Sequence, residues 1–162
     1  MKWPNLFKYV IRGNNEYNIL DEYIHDIHKT TIFRSSILHF AIIGDNIDTI
    51  KYLIEKGAKI NTRNMFGETP LHWCCKQGNL NVLKLLIQKG ADLNVVDYDG
   101  NSLLHWVAEY NHISILKELL YYNVYNGVNV NNQTPLDIAI ENESTEVYHL
   151  LAFIQNKIYQ KE

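Results

Sequence analysis

Cysteine is nearly absent: the 162 residues contain two, Cys74 and Cys75, and these are neighbours. Adjacent thiols cannot staple a small fold, so a disulfide framework is excluded and a reducing compartment is the natural setting. A large excess of either charge is lacking too. Lys and Arg number 15 against 18 Asp and Glu, a net charge of −3, and no stretch clusters the basic residues. Binding that neutralises phosphates needs such a cluster, which sets DNA and RNA aside as partners. Long apolar runs are also missing. The stretch from Ile37 to Ile43 is interrupted by His39 and falls far short of the roughly 20 residues of a membrane span. The opening Met1-Lys2-Trp3-Pro4-Asn5-Leu6-Phe7-Lys8 places Pro and Lys where a secretory leader has its apolar core. The expectation is a cytoplasmic chain with no membrane association. Pro, Gly and Ala are sparse while Asn, Ile, Tyr and Lys are plentiful, the drift of an AT-rich genome such as those of many viruses and intracellular bacteria.

What the chain does contain is a period. Phe66-Gly67-Glu68-Thr69-Pro70-Leu71-His72-Trp73 aligns with Asp99-Gly100-Asn101-Ser102-Leu103-Leu104-His105-Trp106 at a spacing of 33. Gly57-Ala58 returns as Gly90-Ala91, Asn61 as Asn94, and His39 as His72 and His105. A later copy, Thr134-Pro135-Leu136-Asp137-Ile138-Ala139, follows after 32, and a degenerate first copy runs from Leu6 through Gly13 to Ile24. The expected organisation is one domain, 1–162, divided near 1–33, 34–66, 67–99, 100–131 and 132–162. A fixed period of this length is the mark of a stacked solenoid, in which each unit buries its apolar face on its neighbours.

Each unit reads as two short helices and a projecting hairpin. Thr69 can cap a helix with its hydroxyl while Pro70 stands in the first turn, where its missing N–H has no partner to lose. Leu71, Cys74 and Cys75 form the apolar face of that helix, and Gly78-Asn79 turns the chain. Val82, Leu83, Leu85, Leu86 and Ile87 face inward from the second helix, with Lys84, Gln88 and Lys89 outside. Gly90 ends it in the left-handed region. Asp97-Tyr98-Asp99-Gly100 is a turn between two extended arms. The last helix, from Thr145 to about Tyr159, has Val147, Leu150, Leu151, Ile154 and Ile158 inward, against Asn156, Lys157 and Lys161 outward.

This unit resembles the ankyrin repeat, on Gly67-Glu68-Thr69-Pro70-Leu71-His72 and on Leu85-Leu86-Ile87-Gln88-Lys89-Gly90-Ala91-Asp92-Leu93-Asn94. The resemblance implies an all-α repeat solenoid of helix-turn-helix units joined by hairpin loops. Departures include Arg34 in place of the turn glycine, Ile37 and Leu103 in place of proline, and Asn123 in place of the helix-ending glycine. The connection from Tyr121 to Asn132 is one residue short, so an irregular hairpin is expected there.

The His72/Cys74/Cys75 group would suggest a nucleophile or a metal in a chain without repeats. A thiol nucleophile needs a base and an electropositive, open setting. The resemblance instead assigns His72 and His105 to hydrogen bonds between neighbouring loops and Cys74 and Cys75 to small buried positions. His25 and His28, three apart on an expected helix, could share a metal, but Asp21, Glu22 and Asp26 are their only company. A solvated helix face is the favoured alternative. There is no Gly-rich phosphate loop and no paired-acid or Ser-His-Asp constellation. No catalytic residue, metal ligand or cofactor is expected.

The resemblance places binding along a concave ribbon of hairpin tips and first helices. In this chain that ribbon comprises Phe33, Ile43, Met65, Phe66, Glu68, Lys76, Gln77, Tyr98, Asp99, Asn101, Glu109 and Tyr110, flanked by Arg34, Ser35, Val130, Asn131, Gln133 and Glu141. Met65, Phe66 and Tyr98 are large and apolar where a turn is ordinarily polar, which suits interface anchors. The alternative is that Phe66 folds back on the next hairpin. Phe40, Trp73 and Trp106 recur at one position and either pack between first helices or line the groove. Leu86 to Asn94 also resembles the ankyrin pattern modified by an asparaginyl hydroxylase, with Asn94 the target; hydrogen bonding within its own hairpin is the alternative role.

Together these features predict a non-catalytic, monomeric protein that binds another protein and acts as a competitive inhibitor or an adaptor, and the AT-rich drift adds the expectation of a viral or pathogen modulator of host signalling in the host cytoplasm or nucleus. The resemblance extends to small inhibitor-of-kappa-B-like chains that mask Rel-type transcription factors, including viral ones, and to ankyrin inhibitors of cyclin-dependent kinases. Rival readings are an enzyme or metal protein built on His72, Cys74 and Cys75, and a subunit that self-associates through Trp3, Phe7 and Tyr9.

Overall fold

A computed structural model describes residues 3–12, 20–22, 24–122, 124 and 126–159. The described elements are α-helices and one 3-10 turn: α1 (Trp3–Ile11), the 3-10 turn Ile24–Asp26, α2 (Ile37–Ile43), α3 (Ile47–Glu55), α4 (Pro70–Gln77), α5 (Leu80–Gln88), α6 (Leu103–Tyr110), α7 (Ile113–Tyr121), α8 (Pro135–Glu141) and α9 (Thr145–Tyr159). The described fold is the all-α repeat solenoid that the resemblance implies. First helices pack on first helices, α1 on α2, α2 on α4, α4 on α6 and α6 on α8, while α3, α5 and α7 form a second row.

The core is a set of columns. Leu38, Leu71 and Leu104 hold one position in α2, α4 and α6 and are at most 2% exposed. Ile50, Leu83 and Leu116 do the same in the second row, as do Leu53, Leu86 and Leu119. Burying such a side chain contributes about 2 kcal/mol, so each unit is held chiefly by its neighbours. Ala41, Cys74 and Val107, followed by Ile42, Cys75 and Ala108, hold two further repeated positions of the first helices and are at most 1% exposed.

The first helices begin in one way. The main-chain N–H of Ser36, Thr69 and Ser102 donates to Nδ1 of His39, His72 and His105 at 3.1 Å in each case, with the serine or threonine hydroxyl at 2.8–2.9 Å from the same nitrogen. The Thr69 hydroxyl therefore works through the histidine ring. Because an amide can only donate, Nδ1 is the acceptor and the ring proton belongs on Nε2. That proton reaches the next unit: Nε2 of His39 lies 3.2 Å from the Glu68 carbonyl, and Nε2 of His105 lies 2.9 Å from that of Gln133. His72 Nε2 is buried and faces the equivalent carbonyl, that of Asn101, which acts to raise its pKa, without closing a hydrogen bond of normal length and angle. In α8 Asp137 takes the capping role and accepts the Thr134 N–H at 2.8 Å. Two of the second helices, α3 and α5, are capped by asparagine, with Asn46 Oδ1 accepting from Asp48 and Thr49, and Asn79 Oδ1 from Asn81 and Val82, while α7 starts at His112 without a side-chain cap.

Several expectations need correction. His25 and His28 are not on an α-helix; both are exposed, His25 within the 3-10 turn and His28 just after it, where the Asp26 carbonyl accepts the Lys29 N–H at 2.8 Å. Phe7 and Tyr9 are both buried, Phe7 with its ring 4.5 Å from Phe40 of the second unit, so neither offers an exposed surface for self-association. Ile87 is half-buried rather than buried. The expectations for Gly13, Asn123 and Lys161, and for the Trp3 and Ile158 side chains, fall outside the described residues. Among the described residues, no helix is long and apolar enough to cross a membrane.

Candidate binding face

Hairpins join the units, and their tips are tied into a ladder. The N–H of Met65 donates to the Phe33 carbonyl, that of Tyr98 to Phe66 and that of Val130 to Asp99, each at 2.9 Å. One Asx side chain braces each of the last three tips. Asn64 Oδ1 accepts the N–H groups of Phe66 and Glu68, Asp97 Oδ1 those of Asp99 and Asn101, and Asn129 Oδ1 those of Asn131 and Gln133. The hairpin expected to be irregular thus has a regular tip. The residue after each pair of tip residues takes a left-handed conformation: Arg34 (φ 60°), Gly67 (φ 79°), Gly100 (φ 76°) and Asn132 (φ 60°).

This ladder aligns the anticipated anchors. Phe33, Met65, Phe66 and Tyr98 are 52%, 44%, 53% and 62% exposed, so Phe66 does not fold away into the next hairpin. Sequence reasoning overlooked Ile32, which is 89% exposed. Its signal was its register, one repeat before Met65 and two before Tyr98. With Val130 the row extends across four units, an apolar ridge on elements whose exposed positions are ordinarily polar.

Beside the ridge, the first helices carry the rest of the expected set. Ile43, Glu68, Lys76 and Gln77 line one cavity of about 150 Å³ with Trp73 and Trp106. Asp99 and Glu109 are exposed, and Tyr110 is half-buried with the Lys76 ammonium 5.0 Å above its ring. Burial is the main cause raising the Tyr110 pKa above its ordinary value. Asn101 is engaged in bracing: its Nδ2 donates to Asp97 Oδ2 at 3.2 Å and its Oδ1 accepts from Asn129 Nδ2 at 2.9 Å. Asn94 is exposed, and its own N–H donates to Asp92 Oδ1 at 2.9 Å. The corresponding Asn61 does not bond within its own hairpin; it reaches the next unit, donating to the Gly90 carbonyl and accepting the Asp92 N–H.

The aromatic column packs and also borders the cavity. Phe40 and Trp73 meet edge to face at 5.7 Å, and each tryptophan stands similarly against the histidine of the preceding unit. Trp73 Nε1 donates to Glu68 Oε2 at 2.7 Å and Trp106 Nε1 to Asp97 Oδ2 at 2.9 Å.

The groups that could suggest nucleophilic chemistry are poorly placed for it. Cys74 and Cys75 are fully buried, and burial pushes both thiols well above their ordinary range, away from the reactive thiolate. Burial holds the His72 pKa down to about 4, leaving a neutral ring already bound to its own cap. Among the described residues no His, Cys, Asp and Glu group is arranged to hold a metal.

Comparison with known families agrees with this geometry. The model described as ankyrin repeats (3 copies) matches residues 6–97 and again residues 90–161. No curated protein matches this sequence.

Proposed function

Because the chain belongs to the ankyrin-repeat family, whose members serve as protein–protein interaction modules, we propose that it captures another protein along its hairpin tips and first helices and inhibits it by occupancy. One observation carries this reading: the row of Ile32, Phe33, Met65, Phe66, Tyr98 and Val130, exposed yet fixed by the main-chain ladder. Apolar side chains held on a rigid scaffold lose little freedom on binding, which is how interface anchors earn affinity. The partner would lie in the concave ribbon, with the chain acting as a cytoplasmic monomer. Of the partner classes suggested by resemblance, a Rel-type transcription factor stands ahead of a cyclin-dependent kinase.

The test is affinity capture from cell lysate with the native chain beside the Met65→Ala/Phe66→Ala/Tyr98→Ala variant. Helical circular dichroism confirms that both are folded. Loss of one specific protein from the variant is the expected result, and its identity decides between the two classes. Identical captured proteins from both chains would remove the ridge as the binding site.

A further inference from the structure

The cavity beside the ridge has the chemistry of a receptor for a cation. Glu68 is half-buried, and its Oε2 is fixed by two donors, Asn64 Nδ2 at 2.6 Å and Trp73 Nε1 at 2.7 Å. Its Oε1 receives no hydrogen bond from any described residue, so one oxygen of a held carboxylate is left to a ligand. Two indoles, Trp73 and Trp106, contribute to the wall, and Ile43 and Gln77 close the rim.

The remaining wall residue is Lys76. It does not pair with Glu68; its ammonium lies over the Tyr110 ring at 5.0 Å. The charges on these tips and first helices are acidic by one, with Glu68, Asp99, Glu109 and Glu141 against Arg34, Lys76 and Arg63, whose guanidinium is tied to the Gly67 carbonyl at 2.9 Å. A carboxylate oxygen, aromatic walls and an acidic approach together favour a flat, delocalised cation. Guanidinium stacks on indoles and forms charge-assisted hydrogen bonds with carboxylates, and it is more weakly hydrated than ammonium, so it is less costly to enclose.

We propose that the cavity lined by Glu68, Trp73 and Trp106 receives one arginine side chain of the bound protein, with the guanidinium on Glu68 Oε1. This deepens the reading above and rests on it. The apolar ridge supplies contact area, and the arginine socket fixes the position of the partner along the ribbon. The partner segment would then carry an arginine beside apolar side chains.

The probe is Nα-acetyl-arginine methylamide, titrated into the full chain while the indole N–H signals of Trp73 and Trp106, assigned by triple resonance, are followed by NMR. A lone residue binds weakly, with an affinity on the order of millimolar. Saturable shifts of both indole signals are expected. The citrulline analogue, which keeps the shape and lacks the charge, should produce none. Glu68→Gln should weaken the response about tenfold. Lys76→Gln removes the like charge and should strengthen it about twofold, which provides a second test if Glu68→Gln disturbs the fold. Unmoved indole signals, an equal response to citrulline, or an equal response to the lysine analogue would overturn the assignment. A negative titration alongside ridge-dependent capture defeats the socket alone. Arginine binding with no captured protein defeats the binding reading and leaves the socket standing.

Discussion

Asp97 Oδ2 accepts the indole N–H of Trp106 at 2.9 Å, while one repeat earlier Trp73 turns to Glu68, four residues beyond the equivalent Asn64. The two units build the same brace with the charge exchanged. In one, an asparagine holds the turn and donates to a glutamate at 2.6 Å; in the other, an aspartate holds the turn and accepts from an asparagine at 3.2 Å. Either way one carboxylate receives both the carboxamide and the indole.

That exchange makes a testable pair. Asp97→Asn would keep the Oδ1 contacts to the turn but set an amide NH2 against two donors, Trp106 Nε1 and Asn101 Nδ2. The buried indole loses its acceptor, and a loss of about 1–3 kcal/mol in unfolding free energy is expected. Adding Asn101→Glu copies the Asn64/Glu68 arrangement and should recover most of the loss. Urea melts of the three chains measure both steps; absence of recovery would show that the two braces are not interchangeable.

Acid sensitivity should be set by the buried histidines. Burial is the main cause that holds His39 and His72 down to about 4, and it lowers His105 as well. The unfolded chain takes up protons on these rings near pH 6.5, whereas the folded chain resists until about pH 4. Their contribution is therefore complete above about pH 6.5 and is lost as pH falls toward 4, on the order of 3 kcal/mol for each fully shifted ring. Urea midpoints measured from pH 7.5 to 4 should fall across that window, and His39→Gln should flatten the fall. A stability independent of pH over this range would contradict the neutral-ring geometry.

Thiol accessibility offers a direct check on the burial that places Cys74 and Cys75 poorly for nucleophilic chemistry. Cys74 and Cys75 are buried with raised pKa values, so iodoacetamide at neutral pH should leave the folded chain unmodified and add to both residues after denaturation. Rapid alkylation of either thiol in the folded chain would return the enzyme reading to contention.

Much of this architecture was legible because periodic residues report shared constraints. The period of 33, the capping role of His39, His72 and His105 and the inward positions Val82, Leu83, Leu85 and Leu86 of α5 mark contacts repeated in successive units, and the structure places them accordingly, while Ile87 is half-buried and the cross-unit bond closes at His39 and His105 alone. The degenerate first unit was less legible: without the Thr-Pro-Leu-His landmark, the position of His25 in a 3-10 turn and of His28 just after it had no signal. Neither did the exchange of roles between Asn64/Glu68 and Asp97/Asn101, which appears only when residues four apart are compared across units. On the candidate binding face, Met65, Phe66 and Tyr98 were placed at turn tips by the resemblance, with Phe66 folding back as the alternative, and all three are exposed. The cavity was not legible, because it joins Ile43 of α2, Trp73 of α4 and Trp106 of α6, residues brought together by stacking.

Two glycines separate backbone strain from close approach. Gly57 and Gly67 both have positive φ, 97° and 79°. A methyl group at Gly57 would meet nothing within 4 Å, whereas at Gly67 it would lie 2.7 Å from both the main-chain nitrogen and a ring carbon of Tyr98. Alanine at either site carries the left-handed strain, about 1 kcal/mol. At Gly67 it must also push back the hairpin strand that donates to Phe66, adding roughly 1–3 kcal/mol. Arg34 tolerates the equivalent conformation at φ 60°, so strain alone does not dictate glycine there. Thermal or urea melts should therefore rank Gly67→Ala well below Gly57→Ala. The damage should extend to binding, because displacing Tyr98 breaks the line of the ridge while Gly57 lies at the end of α3. Equal stability loss in the two variants, with capture of the partner intact in both, would mean that the ladder between Phe66 and Tyr98 does not hold the ridge in line.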